Sequence, residues 1–210
     1  LPYPTLFRSS RHRLPEAEVV QRLAAARETL FALRARRVAP GRDDKVLAAW
    51  NGLMVAALAE AARALGREDY RQAACANGDF ILSSLRAADG GLHRSWRSGQ
   101  ARLTAYLEDY ADAADGLLAL YEATFESRYF SAAREWVDYA LAHFSDPSGG
   151  FFDTPDQHEA LVTRPKDVQD NATPSGAGML ATVLLRLAAF CGEPRYIDPA
   201  DAILRALEPV

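Results

Sequence analysis

Cysteine is scarce: the 210 residues hold only Cys75 and Cys191, distant in sequence and in no C-x-x-C pair. That excludes a disulfide framework and a cysteine-bound zinc, and it suits a reducing, cytoplasmic setting. Long apolar runs are missing as well. The longest, VLAAWNGLMVAALAEAA, is broken by Asn51 and Gly52 and meets Glu60 short of the about 18 to 20 residues a membrane span requires. An excess of positive charge is absent, with 24 Lys and Arg against 28 Asp and Glu spread along the chain, which argues against nucleic acid as a partner. The four histidines are unclustered, and neither a G-x-S-x-G nucleophile nor a Gly-rich phosphate loop is present, so no metal and no cofactor is expected. Convincing strand alternation is not found either, and the chain reads as all-α.

The first ten residues, LPYPTLFRSS, have neither a period nor the basic start of a signal peptide. They resemble the translation of a sequencing-library adapter and are set apart as residues 1–10, leaving 11–210 as part of one helical domain whose beginning is expected further upstream.

What is present is helical spacing almost throughout. It predicts helices at about 15–37, 45–65, 67–87, 106–125, 127–144, 175–191 and 194–208. The first opens on Pro15 at a predicted N1 position with Glu16 and Glu18 in its first turn, and closes on the basic run RARR.

An internal repeat sets the architecture. YRQAACANGDFILSSLRAADGGL, from Tyr70, aligns without a gap on YFSAAREWVDYALAHFSDPSGGF, from Tyr129. Asp79 meets Asp138 and Gly90-Gly91 meets Gly149-Gly150, and a weaker third copy carries Tyr196. Each copy is a hairpin: a helix apolar on most faces, hence surrounded by protein, then an amphipathic helix that meets water. Inner and outer helices alternating in this way make an α/α toroid, in which roughly 59 residues per hairpin gives about six hairpins in about 350 residues. The chain then holds about three helical hairpins plus one outer helix. A linear helical solenoid is the rival, but its repeats run about 34 to 47 residues with short loops. Here the loops at about 88–105 and 145–174 are long, which in a compact domain points to function or disorder.

Both long loops join an outer helix to the next inner helix, so they share one end of the ring with the inner-helix starts. Asp43, Asp44, Glu108, Asp109, Asp170 and Ser175 fall there. Asp44 and Asp170 each precede a repeat tyrosine, Tyr70 and Tyr196, at the same spacing. Any one of these acids is explained by N-capping, worth about 1 kcal/mol, but the pairs Asp43-Asp44 and Glu108-Asp109 supply more acids than caps. Paired carboxylates around a cleft suit glycoside hydrolysis, one as proton donor and one as base or nucleophile. On that reading Asp44, Asp109 and Asp170 are the catalytic candidates. Trp50, Trp96, Tyr106 and Tyr110 offer aromatic faces to sugar rings; core packing is the alternative. In LVTRPKDVQDNATPSG, Arg164, Lys166, Asp167 and Asp170 precede a helix start at Pro174-Ser175 where small residues permit close approach. An anion resting on that helix start between the basic residues is one reading, and mutual salt bridges are the other. His93, in GGLHRSW, is a loop acid/base candidate or a solvated side chain.

DDKVLAAWNGLMVAALAEA, YLEDYADAADGLLALYEATF, GGFFDT, RPKD and DNATPSG, in this order, resemble the C-terminal half of the spermatogenesis-associated protein 20 family over about residues 16–208. The resemblance implies a six-hairpin glycosidase-like toroid, akin to glycoside hydrolases and N-acylglucosamine 2-epimerases, that follows an upstream thioredoxin-like domain not contained in this chain. It carries over as signature positions Asp43, Asp44, Lys45, Trp50, Asn51, Glu108, Asp109, Tyr110, Arg164, Lys166, Asp167, Asp170, Pro174, Ser175 and Gly176. Where relatives have Asn after PSG, this chain has Ala177. The functional expectation is binding of a carbohydrate or small molecule at the toroid mouth, with hydrolase-like or epimerase-like chemistry. A non-catalytic module docking a peptide or the thioredoxin-like domain is the alternative, and a structural scaffold the third.

Overall fold

The computed structural model describes residues 9–159 and 162–206. Most of the set-apart N-terminal segment therefore lies outside the described residues, as does the tail of the last predicted helix. The chain divides into two compact units, one up to Asp43 and one from Asp44. In the first, α1 (Glu16–Ala35) starts one residue later than predicted, because Pro15 takes the N-cap position rather than N1.

The second unit runs β1 (Val46–Leu47), α2 (Ala48–Leu65), α3 (Glu68–Phe80), β2 (His93–Arg97), β3 (Gln100–Thr104), α4 (Leu107–Thr124), α5 (Ser127–His143), α6 (Gly176–Cys191) and α7 (Ile197–Ala206). Helix α3 continues through a π-helical turn at Ile81–Leu85, and a 3-10 turn at Pro194–Tyr196 leads into α7. These make three hairpins, with α2, α4 and α6 inside and α3, α5 and α7 outside. Helix α4 packs between α2 and α6 and buries 12 residues along its 18, from Leu107 to Leu120. Helix α5 buries only the stripe Tyr129, Ala132, Ala133, Trp136, Val137 and Ala140, the i, i+3, i+4, i+7 pattern of a helix with one wet face.

The repeat tyrosines have a structural job. Tyr129 donates its hydroxyl hydrogen bond to Asp79 at 2.8 Å, and Tyr196 donates to Asp138 at 3.0 Å. Each tyrosine also lies under the preceding arginine, Arg128 or Arg195, which pairs with the same aspartate. The outer helix of one hairpin is thereby tied to the start of the next. Downstream, the repeat-equivalent bridges Arg86–Leu92 and Ser145–Phe151 open the two long loops around Gly90 and Gly149, both at positive φ.

Two sequence expectations change here. The predicted loop at 88–105 contains a hairpin, β2–β3, paired from His93–Thr104 to Arg97–Gln100 and extended by β1 into a three-stranded antiparallel sheet. Its signal was the turn Ser98-Gly99, both at positive φ, as a two-residue hairpin turn requires; five-residue strands are too short to show a period. The helix predicted at 45–65 begins at Ala48, because Val46 and Leu47 are drawn into the sheet opposite Trp96 and Ser95.

Candidate functional site

The late start of α2 removes Asp44 from its cap. Leu47 holds the N-cap position without a side-chain hydrogen bond, and Asp44 pairs with Arg97 of β2 at 2.6 Å. The carboxylate that serves α2 comes from the neighbouring inner helix. Asp109, 1% exposed, accepts the Ala49 N–H through Oδ1 at 3.1 Å. Through Oδ2 it accepts the Tyr106 N–H at 2.9 Å and the Arg94 guanidinium at 2.8 Å. One side chain thus joins the starts of α2 and α4 to the hairpin. Burial pushes its carboxyl up to about 6, with Arg94 and the two backbone donors opposing.

Arg94 also pairs with Glu108 at 2.8 Å and lies over the Tyr106 ring at 4.4 Å. Arg94, Tyr106 and Glu108 form one wall of a cleft of about 380 Å³. The opposite wall comes from the second long loop, folded over the start of α4. Leu107 N–H donates to the Asp153 carbonyl at 2.9 Å, and Asp153 N–H donates to the Pro165 carbonyl at 2.9 Å. The Asp167 N–H in turn donates to the Asp153 carboxylate, at 2.9 Å to Oδ2. Asp153, Thr154, His158 and Asp167 line the cleft from this side, and Pro174, Ser175 and Gly176 close it. Burial raises the Asp153 carboxyl above the usual range, against the Asp167 N–H that lowers it, and the charges of Asp167 and Glu108 add to the rise.

Of the residues singled out from sequence, Tyr106, Glu108, Asp167, Pro174, Ser175 and Gly176 line this cleft. Asp109 stands behind it. Asp170 accepts the Ser175 N–H at 2.9 Å, and Ser175 caps α6 by accepting the Gly178 N–H at 3.2 Å. Asp44 and Asp170, equivalent in spacing, therefore do different work. Tyr110 is buried, stacked on Tyr139 at 5.1 Å with its hydroxyl accepting the Leu92 N–H, so it presents no face to a ligand. Trp50 is 63% exposed on α2, Asn51 donates to the Leu47 carbonyl, and Lys45 is exposed. Asp43 ends the other unit. Arg164 reaches back to the Thr154 carbonyl over the Phe152 ring, and Lys166 takes the Gly149 carbonyl at 2.7 Å and pairs with Asp146. Neither cation attends the α6 start. A Cβ on Gly176 would meet the Glu108 backbone nitrogen at 2.7 Å, so α4 presses on that helix start. An anion seated there is not what this geometry builds.

Sequence reasoning passed over Arg94, Asp153, Thr154 and Asp112. Asp153 sits inside GGFFDT, a motif already noticed, and Asp112 continues a row of acids at 108, 109, 112 and 115 on an otherwise apolar helix. Asp112 is 1% exposed and its Oδ1 has no partner among the described residues. Burial, then the charges of Glu108, Asp109 and Asp115, push its carboxyl up to about 8. Below the unfolded-state value near ~4 both states carry the proton. As pH rises the unfolded chain ionises first and the native state holds its proton, so stability falls with rising pH. Asp109 adds to that slope only up to about 6, so the interval from about 6 to about 8 isolates Asp112. Asp112→Asn is expected to flatten it and to stabilise the protein at about pH 9 by on the order of 2 kcal/mol or more, read from urea unfolding across pH.

No protein-family model matches the chain. Among curated proteins it is 34% identical to mouse spermatogenesis-associated protein 20 over 97% of its own length, and 35% identical to the human protein over 85%. The chain resembles the C-terminal part of spermatogenesis-associated protein 20. It spans 27% of the mouse protein and 24% of the human one, about a quarter of each. Among solved structures, a family 76 α-mannanase from Bacteroides thetaiotaomicron superposes with a TM-score of 0.65 at 19% identity, covering 80% of this chain and 46% of that one. A cellobiose 2-epimerase from Spirochaeta thermophila superposes at 0.62 and 16% identity, covering 77% and 42%. The unsaturated glucuronyl hydrolase of Bacillus sp. GL1 gives 0.60 at 16%, covering 82% and 49%. At such identities the likeness is one of fold: helical hairpins arranged as in an α/α toroid. Among the described residues no helix is long and apolar enough to cross a membrane, and no cluster of His, Cys, Asp and Glu is arranged to hold a metal ion.

Proposed function

We propose that the cleft at the start of α4 binds a carbohydrate and moves a proton on it, in the manner of a glycoside hydrolase or a sugar epimerase. The observation that carries this reading is a pair of carboxylates in unlike environments on the walls of one cavity. Glu108 is paired with Arg94 at 2.8 Å, while Asp153 is half-buried and its carboxyl is raised by that burial. Asp153 would donate a proton to the departing or ring oxygen, and Glu108 would take one from water or from the sugar carbon. Tyr106, braced by Arg94, supplies a ring face at the cleft wall. The catalytic roles first given to Asp44, Asp109 and Asp170 pass to these two. Asp109 becomes a positioning residue, and Asp170 with Ser175 shapes the wall. The likeness of fold to sugar-processing enzymes supports the reading by analogy.

The test is turnover and binding of mono- and oligosaccharides by the wild type, Glu108→Gln and Asp153→Asn. Each variant is expected to keep its thermal unfolding temperature and to lose about 10²-fold or more in kcat. Full activity in both would remove the assignment. A second reading has its own observation: Trp50 is 63% and Met54 53% exposed, one turn apart on α2. That stripe suits a docked peptide or the thioredoxin-like domain, and on this reading the two cleft substitutions leave binding unchanged.

A further inference from the structure

The cleft is rich in acceptors and poor in free cations. Glu108, Glu159 and Asp167 line it beside the half-buried Asp153, the proton donor of the proposed reaction. Against them stands Arg94, the sole arginine or lysine among the described lining residues, and its guanidinium is already engaged by Glu108 and Asp109 at 2.8 Å each and by the Tyr106 ring. The two other cations of the region, Arg164 and Lys166, are turned onto carbonyls, Phe152 and Asp146. The start of α6 is closed by Ser175 and by the backbone of α4. A second observation points to a ligand. Thr154 lines the cleft, is 3% exposed, and its hydroxyl has no partner among the described residues; a buried hydroxyl without a partner is uncommon in a native protein.

From this arrangement we infer that the cleft selects a sugar bearing an amine, or no charge at all, over uronates and phosphorylated sugars. The inference rests on the carbohydrate reading and narrows it. A hydroxyl or ammonium donates to carboxylate oxygens, whereas a carboxylate or phosphate on the ligand meets like charge, and the one guanidinium of the lining is already shared between Glu108 and Asp109 through its Nη1. The amine is preferred to the neutral sugar because its charge is opposite to that of the lining. Salt weakens the preference, since the cleft is open to solvent.

Four ligands with one pyranose frame test it: glucosamine, glucose, glucuronate and glucose 6-phosphate, titrated calorimetrically into the intact chain at low and high salt. Glucosamine is expected to bind at least tenfold tighter than glucuronate or glucose 6-phosphate, with glucose between. Glu159→Gln combined with Asp167→Asn should narrow that gap, as should salt. Equal or tighter binding of either anion overturns the charge selection and leaves the carbohydrate reading standing. Binding of none of the four removes the carbohydrate reading, and the inference with it.

Discussion

Gly52→Ala is expected to lower stability by more than about 3 kcal/mol or to prevent cooperative folding. A Cβ at Gly52 would lie 2.4 Å from the backbone carbon and oxygen of Asp112 and 2.6 Å from the nitrogen of Ala113. Those are main-chain atoms of α4, so no rotamer change relieves the clash, and α2 and α4 would have to separate. The contact is reciprocal: a Cβ on Gly116 would meet the Gly52 carbonyl oxygen at 2.5 Å. Two inner helices thus touch backbone to backbone along their most buried stretch. Gly41→Ala is the control. Its added carbon meets nothing within 4 Å and its φ is not positive, so a change within about 0.5 kcal/mol is expected. Urea unfolding of the three proteins decides the matter. A Gly52→Ala protein as stable as wild type would mean the helices do not pack this closely.

Asp109→Ala is expected to cost about 3 kcal/mol, because it takes one of two carboxylates from the partly buried Arg94 and leaves two helix-start donors without their acceptor. The Ala49 and Tyr106 N–H groups lose their acceptor, and Arg94 keeps only Glu108. A functional loss should accompany the structural one. Without Asp109 to hold it, Arg94 no longer fixes the Tyr106 ring and the Glu108 carboxylate at the cleft, so sugar binding should weaken in any variant that still folds. Asp109→Asn separates the two effects. It preserves the shape and one oxygen for a backbone N–H, but presents an amide where Arg94 needs an anion. Stability between wild type and Asp109→Ala, with binding reduced as far as in Asp109→Ala, is the expected pattern. Wild-type stability in Asp109→Ala would show that the carboxylate is not the junction of the three elements.

The hairpins were legible in the sequence because their physics is local. Apart from its acids at 108, 109, 112 and 115, Leu107 to Leu120 is apolar, Tyr129 to Ala140 is apolar on one face, and the aligned tyrosines and Gly-Gly turns repeat at one spacing. The small sheet was not legible, since its strands are short and its register depends on a partner, Val46–Leu47, that helical spacing assigns to α2. Part of the cleft was visible for the same local reason: Glu108 and Ser175 stand at helix starts, and helix starts are written in neighbouring residues.

Which carboxylate does what is a matter of neighbours distant in sequence. Asp44 and Asp170 share a spacing, yet one pairs with Arg97 and the other holds a turn, because the elements packed beside them differ. Asp109 looked like a free surplus acid and is instead the buried joint between helices. Asp153, on a loop with no periodicity, becomes a cleft group only when residues 151–167 fold over α4. Sequence alone determined the alternation of inner and outer helices, since burial follows from the apolar period. Tertiary structure decided the partners and exposure of each acid, since desolvation and pairing depend on which groups are brought within a few ångströms.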